Sequence, residues 1–85
     1  MYIEDNPANL TLVRKLLAGR PEIELTAATS GEAGVERAIA DLPDLILLDI
    51  NLPGQDGFAT SRQLKTYPAT AHIPVVAVTA NAMRR

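Results

Sequence analysis

Leu45-Ile46-Leu47-Leu48-Asp49-Ile50-Asn51-Leu52-Pro53-Gly54-Gln55-Asp56-Gly57 is the stretch on which the fold turns. Four consecutive aliphatic residues leave no polar face, which suits a central parallel strand covered by helices on both sides. The run stops at Asp49 and passes into Asn, Pro and Gly, residues that turn a chain. Ligands of open α/β sheets bind at the carboxyl ends of the strands, so Asp49 stands where chemistry is expected.

Upstream of this stretch, Val35, Ala38, Ile39 and Leu42 sit at i, i+3, i+4 and i+7, one helical stripe. Thr29-Ser30-Gly31-Glu32 offers its start with capping-box spacing, and Pro43 its stop. Ile23, Leu25 and Ala27 alternate with polar neighbours and predict a half-buried strand. Further back, Asn6-Pro7 reads as an N-cap and first helical residue. Leu10, Val13, Leu16 and Leu17 follow at helical spacing before Gly19. Met1 to Ile3 is a short apolar run that ends at Glu4-Asp5. Downstream, a weaker amphipathic helix is predicted over Phe58 to Lys65, closed by Pro68. Ile73 to Val78 is an apolar, β-branched run that delivers Thr79-Ala80, and Asn81 to Arg85 reads as a loop entering a helix.

Single helices thus alternate with strands in the order β-α-β-α-β-α-β. Right-handed crossovers turn that order into an α/β fold with a doubly wound parallel sheet. No repeat, low-complexity tract or Gly/Ser linker divides it, so residues 1–85 read as one domain.

Composition narrows the function. Lys and Arg total 8 against 10 Asp and Glu, a net charge of −2 that disfavours binding to a phosphate backbone. The absence of Cys excludes disulfides, thiolate metal sites and cysteine nucleophiles. No apolar run approaches the roughly 18 residues of a membrane helix, and Met1-Tyr2-Ile3-Glu4-Asp5 lacks the basic flank of a signal peptide. The expectation is a soluble, cytoplasmic domain that meets neither nucleic acid nor membrane.

Parallel strands bring Glu4, Asp5, Thr29, Ser30, Asp49 and Thr79 to one edge of the sheet. Clustered carboxylates repel one another, and a hard divalent cation with oxygen ligands relieves that repulsion. Mg²⁺ suits the set, because it takes one or two carboxylates, keeps waters and leaves room for a phosphoryl oxygen. The lone His72 precedes the fourth strand, at the far end of the sheet, so zinc has no nitrogen ligand here. Asp49 is the best-placed nucleophile, and a carboxylate attacking phosphorus gives an aspartyl phosphate. Thr79 could donate its hydroxyl to a phosphoryl oxygen. Asp56 reads as a cap of the third helix, and Lys65 as a solvent-exposed helical residue.

This constellation resembles the receiver domain of two-component response regulators. The residues that carry the resemblance span the chain: Glu4-Asp5 with Asn6-Pro7-Ala8-Asn9, then Asp49 within Leu47 to Gly57, then Val78-Thr79-Ala80. The wording of Glu4 to Asn9 and of Pro68 to Pro74 is also similar to receivers attached to hybrid sensor histidine kinases. The resemblance implies a flavodoxin-like fold with strand order 2-1-3-4, and a bacterial phosphorelay as setting. It implies that Asp49 accepts a phosphoryl group from a histidine kinase or histidine phosphotransfer domain, and that Thr79 is the switch hydroxyl. It further implies that Mg²⁺ is held by Glu4 and Asp5, directly or through water, together with Asp49 and the backbone carbonyl of Asn51. The family pattern continues with a helix, a fifth strand ending in Lys and a final helix, which are absent from these 85 residues. The apolar run Ile73 to Val78 is then expected to leave an uncovered edge through which the chain self-associates.

Two other classes compete with this switch, which turns over no small molecule. A Mg²⁺-dependent phosphohydrolase also uses an aspartyl phosphate, but usually carries a second Asp two residues on, where Asn51 stands here. An inactive structural or dimerisation fragment is the other. Nucleotide binding is disfavoured, since no Gly-rich phosphate loop follows the first strand.

Overall fold

The computed structural model describes residues 1–50 and 57–78. In chain order the elements are β1 (Tyr2–Ile3), α1 (Pro7–Leu17), β2 (Ala27–Ala28), α2 (Gly31–Asp41), β3 (Ile46–Asp49), α3 (Gly57–Thr66) and β4 (Val75–Val78). The strands form one parallel sheet in the order β2-β1-β3-β4, as expected. Tyr2 pairs with Ala27 on one side and Leu47 on the other, which sets β1 in the interior of the sheet.

Alternation along the strands divides the core into two layers. Ile3, Ala28, Ile46 and Leu48 pack with Val35 and Ala38 of α2 and Leu64 of α3. On the opposite face Tyr2 packs with Leu10 and Val13 of α1, against Leu47 and Val78. One helix on one face and two on the other make the sheet doubly wound. Gly34 lets α2 approach closely: a Cβ there would lie 2.5 Å from Ile3 Cδ1.

The helix starts follow from side-chain chemistry. Asn6 is extended and its Oδ1 accepts from Ala8 N at 2.8 Å, with Pro7 where its missing N–H costs nothing. Ser30 caps α2 by accepting from Ala33 N at 3.1 Å. The capping box read from Thr29 and Glu32 is therefore corrected: the cap lies one residue later, and its third helical position is Ala33.

Other expectations are corrected too. The second strand spans only Ala27–Ala28, because Ile23 points to solvent and only Leu25 and Ala27 reach the α1 layer. On α2 the buried face is Gly31, Gly34, Val35 and Ala38, while Ile39 and Leu42 are exposed. Pro43 disfavours the helical region for the residue before it. Leu42 ends α2 with a left-handed φ of 50°, which swings its side chain out to 55% exposure. In β4, part of the apolar run from Ile73 to Val78, Val76 is 45% exposed. Lys65 is exposed as expected but not idle. Its Nζ donates to Ala71 O at 3.1 Å and Ile73 O at 2.8 Å, pinning the segment that leads into β4.

Candidate functional site

β1 and β3 run parallel and adjacent, so their carboxyl ends reach the same edge. The β1 ladder continues one step beyond the strand, with Glu4 N donating to Ala28 O at 2.8 Å. β3 ends on Asp49, paired with Val78 of β4, and Ile50 N donates to Val78 O at 3.1 Å. These ladders place Glu4 and Asp49 at the rim, with Asp5 in the turn that follows Glu4. One carboxylate oxygen from each of Glu4, Asp5 and Asp49 lies within 4.8 Å of the others.

The three carboxylates differ in surroundings. Glu4 is fully buried, Asp49 is 2% exposed and Asp5 is open to solvent. Glu4 Oε1 accepts from Asn9 Nδ2 at 2.8 Å and from the Tyr2 hydroxyl at 3.2 Å. Its Oε2 accepts from Asp5 N at 3.0 Å and Asn6 N at 3.4 Å. Burial, then the charge of Glu4 and the hydrogen bond to it, with Asp49 adding its charge, raise the Tyr2 phenol well above its usual pKa. Tyr2 is therefore a proton donor to Glu4 throughout the physiological range.

Three crowded carboxylates, two of them buried, are a donor set of hard oxygens with no nitrogen or sulfur among them. A hard divalent cation such as Mg²⁺ matches that set, and a zinc site does not. Among the described residues, Glu4, Asp5 and Asp49 come together as the sequence predicted. Asn51, Thr79 and Asp56 lie outside the described residues. Thr29 and Ser30 end up at the start of α2, where Ser30 serves as its cap.

Sequence reasoning missed three residues. Tyr2 shares a strand face with Glu4 by the two-residue period of β structure, a signal that was available. Asn9 is the third residue of α1, and no local sequence pattern announces its hydrogen bond back to Glu4. Gly57 was read as turn chemistry, yet a Cβ there would meet Asp49 O at 2.7 Å and Ile50 Cα at 2.4 Å.

The response regulator receiver domain family matches residues 1–85. Response regulator PleD of Caulobacter vibrioides is 42% identical over 80 residues, covering 94% of this chain and 17% of PleD. The signal transduction histidine-protein kinase BarA of Escherichia coli is 43% identical over 84 residues, covering 98% of this chain and 9% of BarA. The chain therefore spans less than a fifth of the length of either relative. Among solved structures, the receiver domain of sensor histidine kinase PA1611 from Pseudomonas aeruginosa PAO1 has a magnesium ion coordinated in its active site cleft. It matches with a TM-score of 0.84 at 31% identity, covering 98% of this chain and 67% of that one.

Proposed function

The chain belongs to the response regulator receiver domain family, and from that membership we propose that it is a phosphoryl-accepting switch of a two-component phosphorelay. A carboxylate oxygen of Asp49 forms a bond to phosphorus as the bond from phosphorus to a phosphohistidine nitrogen breaks. The freed imidazole belongs to a histidine kinase or phosphotransfer domain. The observation that supports this reading best is the convergence of buried Asp49 with Glu4 and Asp5 within 4.8 Å.

Asp5, Asp49 and the Asn51 carbonyl would hold Mg²⁺, with Glu4 adding its charge. When bound, the ion screens the negative charges of carboxylate and phosphoryl oxygens from one another. Thr79 is the proposed switch hydroxyl. It is the next residue after Val78, which pairs with Asp49 across the β3–β4 ladder. Phosphorylation adds a charge of about −1.5 to −2, which partner surfaces and nearby loops can read. The domain modifies itself once per phosphoryl group and turns over no separate substrate. Residues 1–85 act as one receiver unit in a cytoplasmic setting, apart from nucleic acid and membrane.

Incubation with acetyl phosphate, followed by intact mass, tests the reading. A single phosphoryl adduct is expected with Mg²⁺ and none in EDTA. Asp5→Ala is expected to weaken Mg²⁺ binding at least tenfold, in line with losing a ligand, and to suppress the adduct. Glu24→Gln, on an exposed residue before β2, is expected to leave both unchanged. Equal losses in the two variants would mean that the wrong carboxylates have been assigned.

The outer edge of β4 pairs with no strand among the described residues. Such an apolar edge is a template for another strand, and a chain of these 85 residues is expected to self-associate through it. Size exclusion with light scattering checks this. A monomer with a cooperative melt at high concentration would show that β4 needs no neighbour.

A further inference from the structure

The acceptor capacity of the Glu4 carboxylate is already filled. An ionised carboxylate offers about four lone-pair sites. Tyr2 and Asn9 occupy the two on Oε1, and the Asp5 and Asn6 amides occupy those on Oε2. Asp5, by contrast, is exposed and accepts no side-chain hydrogen bond among the described residues. A cation approaching the cluster would find Asp5 ready to ligate and Glu4 tied back.

The donors to Oε1 are side chains that the backbone does not require. Tyr2 lies two residues before Glu4 on the same strand face, with its ring packed among Leu10 and Val13. Asn9 is buried within the first turns of α1, and its amide nitrogen reaches Oε1 at 2.8 Å. With an apolar side chain at either position, Glu4 Oε1 would lose one of its two donors and hold a free lone pair.

The choice bears on which ion the site accepts. Mg²⁺ keeps several waters and asks for few protein oxygens in a strict octahedron, whereas Ca²⁺ takes six to eight oxygens and welcomes an extra, even bidentate, carboxylate. Resting on the Mg²⁺ reading of this site, we propose that Tyr2 and Asn9 are positioning residues that clamp Glu4 out of direct coordination and thereby set the preference for Mg²⁺ over Ca²⁺. Released from the clamp, Glu4 becomes an added direct ligand that Ca²⁺ can use and Mg²⁺ cannot use without giving up water and geometry.

Calorimetric titration of the protein with MgCl₂ and with CaCl₂ tests this, taking the ratio of the two dissociation constants as the readout. Tyr2→Phe keeps the buried ring and removes only the hydroxyl; Asn9→Leu removes the amide donor at similar volume. Each is expected to shift the ratio toward Ca²⁺, by about tenfold in the double variant, the scale on which partners of metal ligands act. In a Glu4→Gln background the same substitutions are expected to leave the ratio unmoved, because no carboxylate remains to be released. A purely structural role would lower both affinities together and leave the ratio constant, and that result would overturn the proposal. Each single variant supplies the test if the other does not fold. A wild-type protein that binds no Mg²⁺ would instead overturn the underlying reading of the site, and the clamp with it.

Discussion

The Asp49→Asn variant is expected to take up no phosphoryl group from acetyl phosphate and Mg²⁺, while remaining folded and melting higher than wild type in EDTA. The amide is nearly the same size as the carboxylate, so a side chain only 2% exposed is replaced without opening a cavity. What disappears is the nucleophile, because an amide oxygen does not attack phosphorus at neutral pH as a carboxylate does. One negative charge also leaves a cluster whose members approach within 4.8 Å. Like charges at that separation cost roughly 3 kcal/mol at an effective dielectric near 20, before screening by counterions. A net gain of about 1 kcal/mol corresponds to a rise of about 5 °C in Tm for a domain of this size. Intact mass reads the first effect, and scanning calorimetry in EDTA reads the second. An undiminished adduct in the variant would move the phosphoacceptor away from Asp49. A lower Tm would mean that partners within the fold stabilise the Asp49 charge by more than its repulsion from Glu4 and Asp5 costs.

How much of this was legible in the sequence depended on whether a residue's role was local. The β3 run into Asp49 and the Asn6-Pro7 start of α1 were both readable, because strand burial and helix capping are set by a few neighbouring residues. The carboxylate cluster was readable as well, since parallel strands share an edge and only their last residues need to be known. The shortening of the second strand was not. Ile23 and Leu25 alternate correctly, but Ile23 is turned to solvent and only Ala27 and Ala28 pair with β1, which alternation alone does not reveal. The stripe on α2 failed for a similar reason. Periodicity names a face, but whether its last turn is covered depends on what lies beyond Ala38, and there Leu42 has already left the helix. The clamp on Glu4 was hidden because Asn9 reaches it from the first turn of α1, a side-chain contact between two elements that no local pattern encodes. Thr79 and Asn51 rest on sequence and family membership alone.

Gly57→Ala is expected to be far more damaging than the same change at Gly34 or Gly19. Gly57 opens α3 directly beneath the end of β3, with its N–H donating to Ile50 O at 3.2 Å. A Cβ built on it would lie 2.4 Å from Ile50 Cα, 2.7 Å from Asp49 O and 3.1 Å from Ile50 N. All three are backbone atoms of the strand end that carries Asp49, so no side-chain rotation can make room. Either α3 moves out, uncovering Leu64 and Thr60, or the Asp49–Ile50 peptide moves up into the site. Overpacking of this kind costs about 3 kcal/mol or more when the backbone must yield, a large part of the 5–15 kcal/mol that holds a small domain together. Gly34→Ala provides the graded comparison, because the atom met at 2.5 Å is the far end of the Ile3 side chain, which can turn. Its cost is expected near 1 kcal/mol, the low end of the range for an extra core methyl. At Gly19 nothing lies within 4 Å of an added Cβ, so Gly19→Ala is expected to be neutral. Denaturant midpoints should therefore fall in the order Gly19→Ala, Gly34→Ala, Gly57→Ala. Only Gly57→Ala should slow acetyl phosphate labelling in the molecules that remain folded, since it alone displaces the Asp49 backbone. If Gly34→Ala proved the more costly of the two, or if Gly57→Ala labelled at the wild-type rate, the approach of α3 to the strand end would not be what holds Asp49 in place.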